Sequence, residues 1–176
     1  RAAALHTRRP RAVLEQLNAA LLRDALDYRF CTVLYVSLTP RDDHLSACVT
    51  PGGHPLPVVV RADGRVETVG TPGSLLGIVD VPELTEESVE LAPGDALVLY
   101  TDGVTEADRT AGPERLTTLL AGCAGADARA IAETVERDAL AAHGGAARDD
   151  VAVVVVRATG SPAPFVPFDQ GVATAT

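Results

Sequence analysis

The chain has 176 residues, 47% of them apolar and 22% charged, with a formal net charge of −9 and a pI near 4.8. That length supports one domain with a sizeable core, and the apolar content argues against disorder over most of it. The acidic balance has the wrong sign for a partner that is nucleic acid or an anionic membrane, and three Phe, three Tyr and no Trp leave few platforms for stacking bases.

In chain order, Pro10 stands before the amphipathic run RAVLEQLNAALLRDAL, with Val13, Leu14, Leu17, Leu21 and Ala25 on one face. Proline at the first position and that spacing predict a helix over about 10–26. Phe30 to Leu38, rich in β-branched and aromatic residues, and His44 to Thr50 predict a hairpin around Pro40-Arg41-Asp42-Asp43. Short strands are expected at Pro57–Arg61 and Arg65–Val69 about the Asp63-Gly64 turn, followed by a Gly/Pro-punctuated loop from Gly70 to Glu83. Two more strands, Glu87–Leu91 and Ala96–Thr101, are joined by Ala92-Pro93-Gly94-Asp95. Helices are predicted at Pro113–Ala121 and Asp127–Ala142, the second stopping at Gly144-Gly145. Val151–Arg157 is a continuous apolar run, expected as a final central strand covered on both faces. From Gly160 a tail with Pro162, Pro164 and Pro167 predicts no regular structure, with Phe165 and Phe168 available to dock on a surface.

Strands in hairpins, then helices, then a last strand indicate an α+β domain with largely antiparallel sheets packed with helices. No phosphate-loop or dinucleotide-binding glycine motif occurs. The longest apolar runs are far too short to cross a bilayer, and the Arg-rich start lacks the apolar segment of a signal peptide. Cys31, Cys48 and Cys123 are irregularly spaced, as reduced and mostly buried thiols of a cytoplasmic protein would be. The first residue is Arg1 rather than Met, so a piece of a longer chain is expected.

Two acidic positions stand out. Asp102, followed by Gly103, ends the apolar strand ALVLYT, and Asp149 and Asp150 precede the strand that starts at Val151. If those strands are adjacent and antiparallel, Asp102 and Asp149 converge. Paired carboxylates at a sheet end, with no Cys or His cluster beside them, suit a hard ion such as Mg²⁺ or Mn²⁺. Composition alone also admits the plainer reading, in which Asp102-Gly103 is a turn and Asp149-Asp150 a solvated strand start.

Longer motifs bear on that choice. APGDALVLYTDGVTEA resembles the "GD-x-L-x-L-YTDGV-x-EA" signature of SpoIIE/RsbU-like phosphatases, the PPM-type metal-dependent protein serine/threonine phosphatases of bacteria. RDDVAVVVV is similar to that family's closing "DD-[IM]-T" strand, with Ala152 in the Thr position. TPGGHPLPVVVRADG resembles "NAGHPPPLLLR-x-DG", SLLGIV resembles "PLGV", and the first helix with RFCTVLYVSL resembles "P-x-x-x-L-x-x-LN-x-x-L … FVT". In order, these cover residues 5–158.

The resemblance implies an α-β-β-α sandwich, partial over residues 1–159 and amino-terminally incomplete. The family's opening "GD-x-x-G-[HK]-G" strand, whose Asp bridges two metals, is absent from the sequence. It makes Asp102 and Asp149 the catalytic metal ligands for Mn²⁺ or Mg²⁺. Asp150 would stand beside them, orienting water or a neighbouring ligand, with Gly103 shaping the turn. His54 would be an acid/base or phosphate contact, or a hydrogen-bonded loop histidine; Gly52 and Gly53 would serve the turn before it. Glu106 reads as a nearby charge, and His6 and His143 have no motif context. The activity implied is hydrolysis of phosphoserine or phosphothreonine by a water activated between two cations about 3.5–4 Å apart. The implied partners are a phosphorylated regulatory protein, a STAS-type anti-sigma-factor antagonist, and an upstream sensor domain. A catalytically silent pseudophosphatase that binds phosphoproteins is the alternative, and the missing Asp is what separates the two.

Overall fold

The computed structural model describes residues 9–23, 30–106, 112–144 and 150–160. Helix α1 (Pro10–Arg23) begins on the predicted proline, where an absent N–H breaks no helical bond. It buries Val13 and Leu14, with Leu17 and Leu21 packed beside them. Ala25 and the rest of the predicted last turn lie outside the described residues.

Strands β1 (Val33–Pro40) and β2 (Leu45–Gly52) form the expected hairpin, with Val36 opposite Val49. β1 starts later than Phe30 because both backbone groups of Cys31 bond to Leu76, each at 3.1 Å, and not to β2. β3 (Val58–Val60) and β4 (Val66–Thr68) pair across the Asp63-Gly64 turn, which closes through Gly64 N–H onto the Arg61 carbonyl at 2.9 Å. β5 (Glu87–Leu91) and β6 (Ala96–Tyr100) follow one another through a tight turn but do not pair. β5 joins β2, β6 joins β3, and β7 (Val153–Arg157) joins β6. The two antiparallel sheets therefore run β1-β2-β5 and β4-β3-β6-β7.

Alternation along the strands builds the layers. Val33 and Tyr35 of β1 face α1, packing with Leu14, Leu76 and Leu84, whereas Leu34 and Val36 point the other way. That second set meets Val59, Leu97, Leu99 and Val156 across the gap between the sheets. The outer face of the second sheet, with Val58, Val60, Ala96 and Val98, packs on α2 (Gly112–Ala121) and α3 (Ala128–Ala142). The result is the α-β-β-α sandwich. Helix α3 starts on the Asp127 cap, whose carboxylate accepts the Ala130 N–H at 2.8 Å, and stops before Gly144.

One expectation is corrected. Among the described residues β7 lies at an edge of its sheet and not at its centre, and Val154 is 57% exposed. Val153 and Val155 pack toward the helices and Val156 toward the other sheet, so the strand is apolar on both faces without a neighbour on both edges. Hydropathy reports face burial and is silent about lateral pairing. Beyond Gly160 the tail lies outside the described residues, as do Phe165, Phe168 and His6.

Candidate functional site

The β6–β7 pairing is the one the acidic motifs require. Its register runs from Ala96 opposite Arg157 to Tyr100 opposite Val153, so the end of β6 meets the beginning of β7. There Thr101 splits its bonding. Its N–H donates to the Ala152 carbonyl at 3.1 Å, but its own carbonyl turns away to accept Val104 N–H at 3.0 Å. Its hydroxyl fills the vacated place in the ladder, accepting Ala152 N–H at 2.9 Å and donating to the Asp150 carbonyl at 2.8 Å. Thr101 thereby lets the chain leave the sheet into a one-turn 3-10 helix, Asp102–Val104, while still tying down the backbone at Asp150.

Asp102 opens that turn and is exposed; its Oδ1 accepts Gly103 N–H at 3.1 Å. Gly103 is buried, and Val104 is buried in the core shared by β6, α2 and α3. Asp150 is exposed, with its backbone held by Thr101. Asp149 lies outside the described residues. Glu106 is half-buried just past the turn.

His54 is carried by the Gly52-Gly53 turn at the same end of the sandwich. Gly53 has φ 71°, and a Cβ there would lie 3.0 Å from Leu75 Cα, so the turn needs glycine on both counts. The Nδ1 of His54 sits 3.1 Å from the Pro55 carbonyl; since a carbonyl only accepts, Nδ1 is the donor of this bond. A depression of about 350 Å³ between β1 and the β6–β7 edge is lined by His54, Thr101, Tyr100, Leu34, Ala152 and Val154, among others. Burial pushes the Tyr100 phenol above the ordinary tyrosine range, so it stays neutral there. His54 and Thr101, the residue that leads into the Asp102 turn, thus border one surface.

The donor chemistry suits a hard divalent cation: an exposed carboxylate at a strand end, with no thiol in the depression. Among the described residues, however, no three or more His, Cys, Asp or Glu side chains gather as a metal site. Three residues to which the sequence reading gave no role shape this end of the molecule. They are Thr101, Arg115 on α2 and His143 at the end of α3, and all three act through hydrogen bonds to backbone at the strand ends and the Asp102 turn.

The family model of stage II sporulation protein E, SpoIIE, matches residues 1–159. The chain belongs to the SpoIIE family. Its fold is that of the phosphatase domain of SpoIIE from Bacillus subtilis (TM-score 0.66, 20% identity), a match covering 89% of this chain and 69% of that one. The RsbU and RsbW domains of a Mycobacterium tuberculosis protein superpose with TM-score 0.69 at 23% identity, over 90% of this chain and 44% of theirs. The catalytic domain of the serine/threonine protein phosphatase PstP, in complex with two manganese ions, gives 0.58 at 18% identity, over 85% and 70%. No curated protein matches the chain. Among the described residues no helix of this SpoIIE-family domain is long and apolar enough to cross a membrane.

Proposed function

We propose that this SpoIIE-family domain serves metal-dependent hydrolysis of phosphoserine or phosphothreonine on a regulatory protein in the cytoplasm, an anti-sigma-factor antagonist of STAS type being the substrate class. The observation that carries the reading is the β6–β7 register with its Thr101 bonds, which brings the Asp102 turn against the chain at Asp150. In this reading Asp102 and Asp149 are the metal-holding carboxylates, and Asp150 orients water beside them. His54, which lines the depression, contacts the phosphate or moves a proton there. Mn²⁺ or Mg²⁺ held by these carboxylates would supply charge neutralisation at the phosphate and a more acidic water. The apolar wall of Leu34 and Val154 limits water around the ester, and an upstream sensor domain would regulate access.

The test is phosphate release from a phosphorylated partner with Mn²⁺ added. The 176-residue chain alone is expected to release little. A chain carrying the "GD-x-x-G-[HK]-G" segment ahead of residue 1 is expected to turn over, because that Asp bridges the ions in the family this domain resembles. In the longer chain Asp102→Ala and Asp149→Ala should each abolish turnover while leaving the domain folded, and His54→Ala should cost less, on the order of 10²-fold. Full activity of Asp102→Ala would remove this residue from the site.

A further inference from the structure

The Asp102 turn is gripped from outside the sheet. Each of its three carbonyls has a donor: Asp102 O accepts Thr105 N–H at 2.8 Å, Gly103 O faces His143 Nε2 at 2.8 Å, and Val104 O accepts Arg115 Nη2 at 2.9 Å. Only the first of these bonds is local. A carbonyl cannot donate, so the Nε2 of His143 carries the proton and the imidazole is a donor here. His143 is the C-terminal cap of α3, and Arg115 lies in the second turn of α2. The two helices are joined at this point by the Arg115–Asp138 ion pair, Nε to Oδ2 3.3 Å. Between the two donors Val104 is buried with Leu116, Leu120, Ile131 and Val135. Gly112, the first residue of α2, comes so close that a Cβ there would lie 2.2 Å from the Thr105 carbonyl.

We infer that Arg115 and His143 are positioning residues for Asp102: the helical layer, through two side-chain hydrogen bonds to successive carbonyls, sets the direction in which the Asp102 carboxylate is presented. The part about Asp102 as a metal ligand rests on the function proposed above; the tether itself does not. The physical argument is one of constraint. A single 3-10 turn has poor intrinsic hydrogen bonding and frays readily. A carboxylate at its first residue would sample several orientations unless the following carbonyls were fixed. Metal binding loses affinity when a ligand must be ordered at the moment of binding, and outer partners that pre-order ligands raise it by about 10–100-fold. Arg115 and His143 come from two different helices, so a shift of either helix along the sheet would reach Asp102 through one bond.

The experiment is amide hydrogen exchange by NMR on the 176-residue chain, with Mn²⁺ titrated as a paramagnetic probe. The amides of Val104 and Thr105 report the turn, because their hydrogen bonds close it; those of Val49 and Leu97 report the core. His143→Ala and Arg115→Ala are each expected to speed exchange at Val104 and Thr105 by about tenfold, with Val49 and Leu97 unchanged. His143→Gln and Arg115→Lys, which keep a donor, should restore slow exchange. Mn²⁺-induced broadening at Gly103 should need about tenfold more Mn²⁺ in the alanine variants and return with the conservative ones. Unchanged exchange at the turn in both alanine variants would overturn the tether, as would equal acceleration of core and turn in all four variants. A loosened turn with an unaltered Mn²⁺ response would overturn the positioning of Asp102. If Asp102→Asn leaves the broadening of the wild-type chain untouched, the assignment of Asp102 to the metal fails instead, and the exchange data still decide the tether.

Discussion

Asp95 shows how one side chain can set the geometry of a whole crossover. It is 4% exposed and sits where the chain leaves one sheet for the other. Its Oδ1 accepts Ala62 N–H at 2.9 Å, and its Oδ2 accepts Ala92 N–H at 3.0 Å and Arg61 Nη1 at 2.8 Å. Arg61 in turn donates to the Glu90 carbonyl at 2.6 Å and pairs with Glu67. Asp95→Ala strands two backbone donors and a half-buried guanidinium, and is expected to cost about 3–5 kcal/mol. Asp95→Asn keeps an acceptor and should cost less. Urea unfolding of the two variants checks this, and a loss below about 1 kcal/mol for Asp95→Ala would mean that the network carries little. In the sequence Asp95 reads as the last residue of a Pro-Gly turn and as the Asp that opens the GD-x-L-x-L motif, but neither reading shows which backbone donors it satisfies. Asp102, Thr101 and His54 were legible as positions because they sit in long motifs, whereas Arg115 and His143 lie outside them and act on backbone atoms that local pattern does not locate.

At the scale of elements, the helices and strands follow from periodicity and punctuation, and most boundaries fall within a few residues of expectation. The hairpins β1–β2 and β3–β4 and the pairing of β6 with β7 were legible; what periodicity missed was that β5 joins β2 and β6 joins β3. β5 and β6, separated by one tight turn, look like a hairpin neighbour pair yet belong to different sheets. β7 looks central and is an edge. These placements make a contrast that can be measured. Leu97 is fully buried between the sheets, so Leu97→Ala should cost about 2–5 kcal/mol. Val154, on the outermost strand beside β6 and facing the open depression, should tolerate Val154→Thr within about 0.5 kcal/mol. Equal losses for the two in denaturant titrations would place Val154 in a closed core and contradict the edge assignment.

For the whole molecule, the sandwich brings the His54 turn and the junction of β6 with β7 to a single end, while the two helix layers stay on the outside. Metal binding by this chain alone is nevertheless expected to be weak. Two carboxylates cannot complete an octahedral shell, nor hold two cations against their mutual repulsion. Calorimetry with Mn²⁺ should give an affinity no tighter than about millimolar. Sub-micromolar binding that survives Asp102→Asn would show that the ligands lie elsewhere. Of the three cysteines only Cys123 is buried, and Cys31 and Cys48 are half-buried, so the expectation of mostly buried thiols holds for one of them; burial raises the thiol pKa of all three.

By itself the sequence determined which segments are helix or strand, that the domain is α+β, and that Asp102 belongs to a motif-bearing strand end, because these depend on local spacing and on residue types in short runs. Only the tertiary structure decided that β5 and β6 part company and that β7 lies at an edge. It alone seated Arg115 and His143 on the carbonyls behind Asp102. Those facts depend on hydrogen bonds between backbone and side-chain groups far apart along the chain, whose geometry exists only once both sheets and both helix layers have packed.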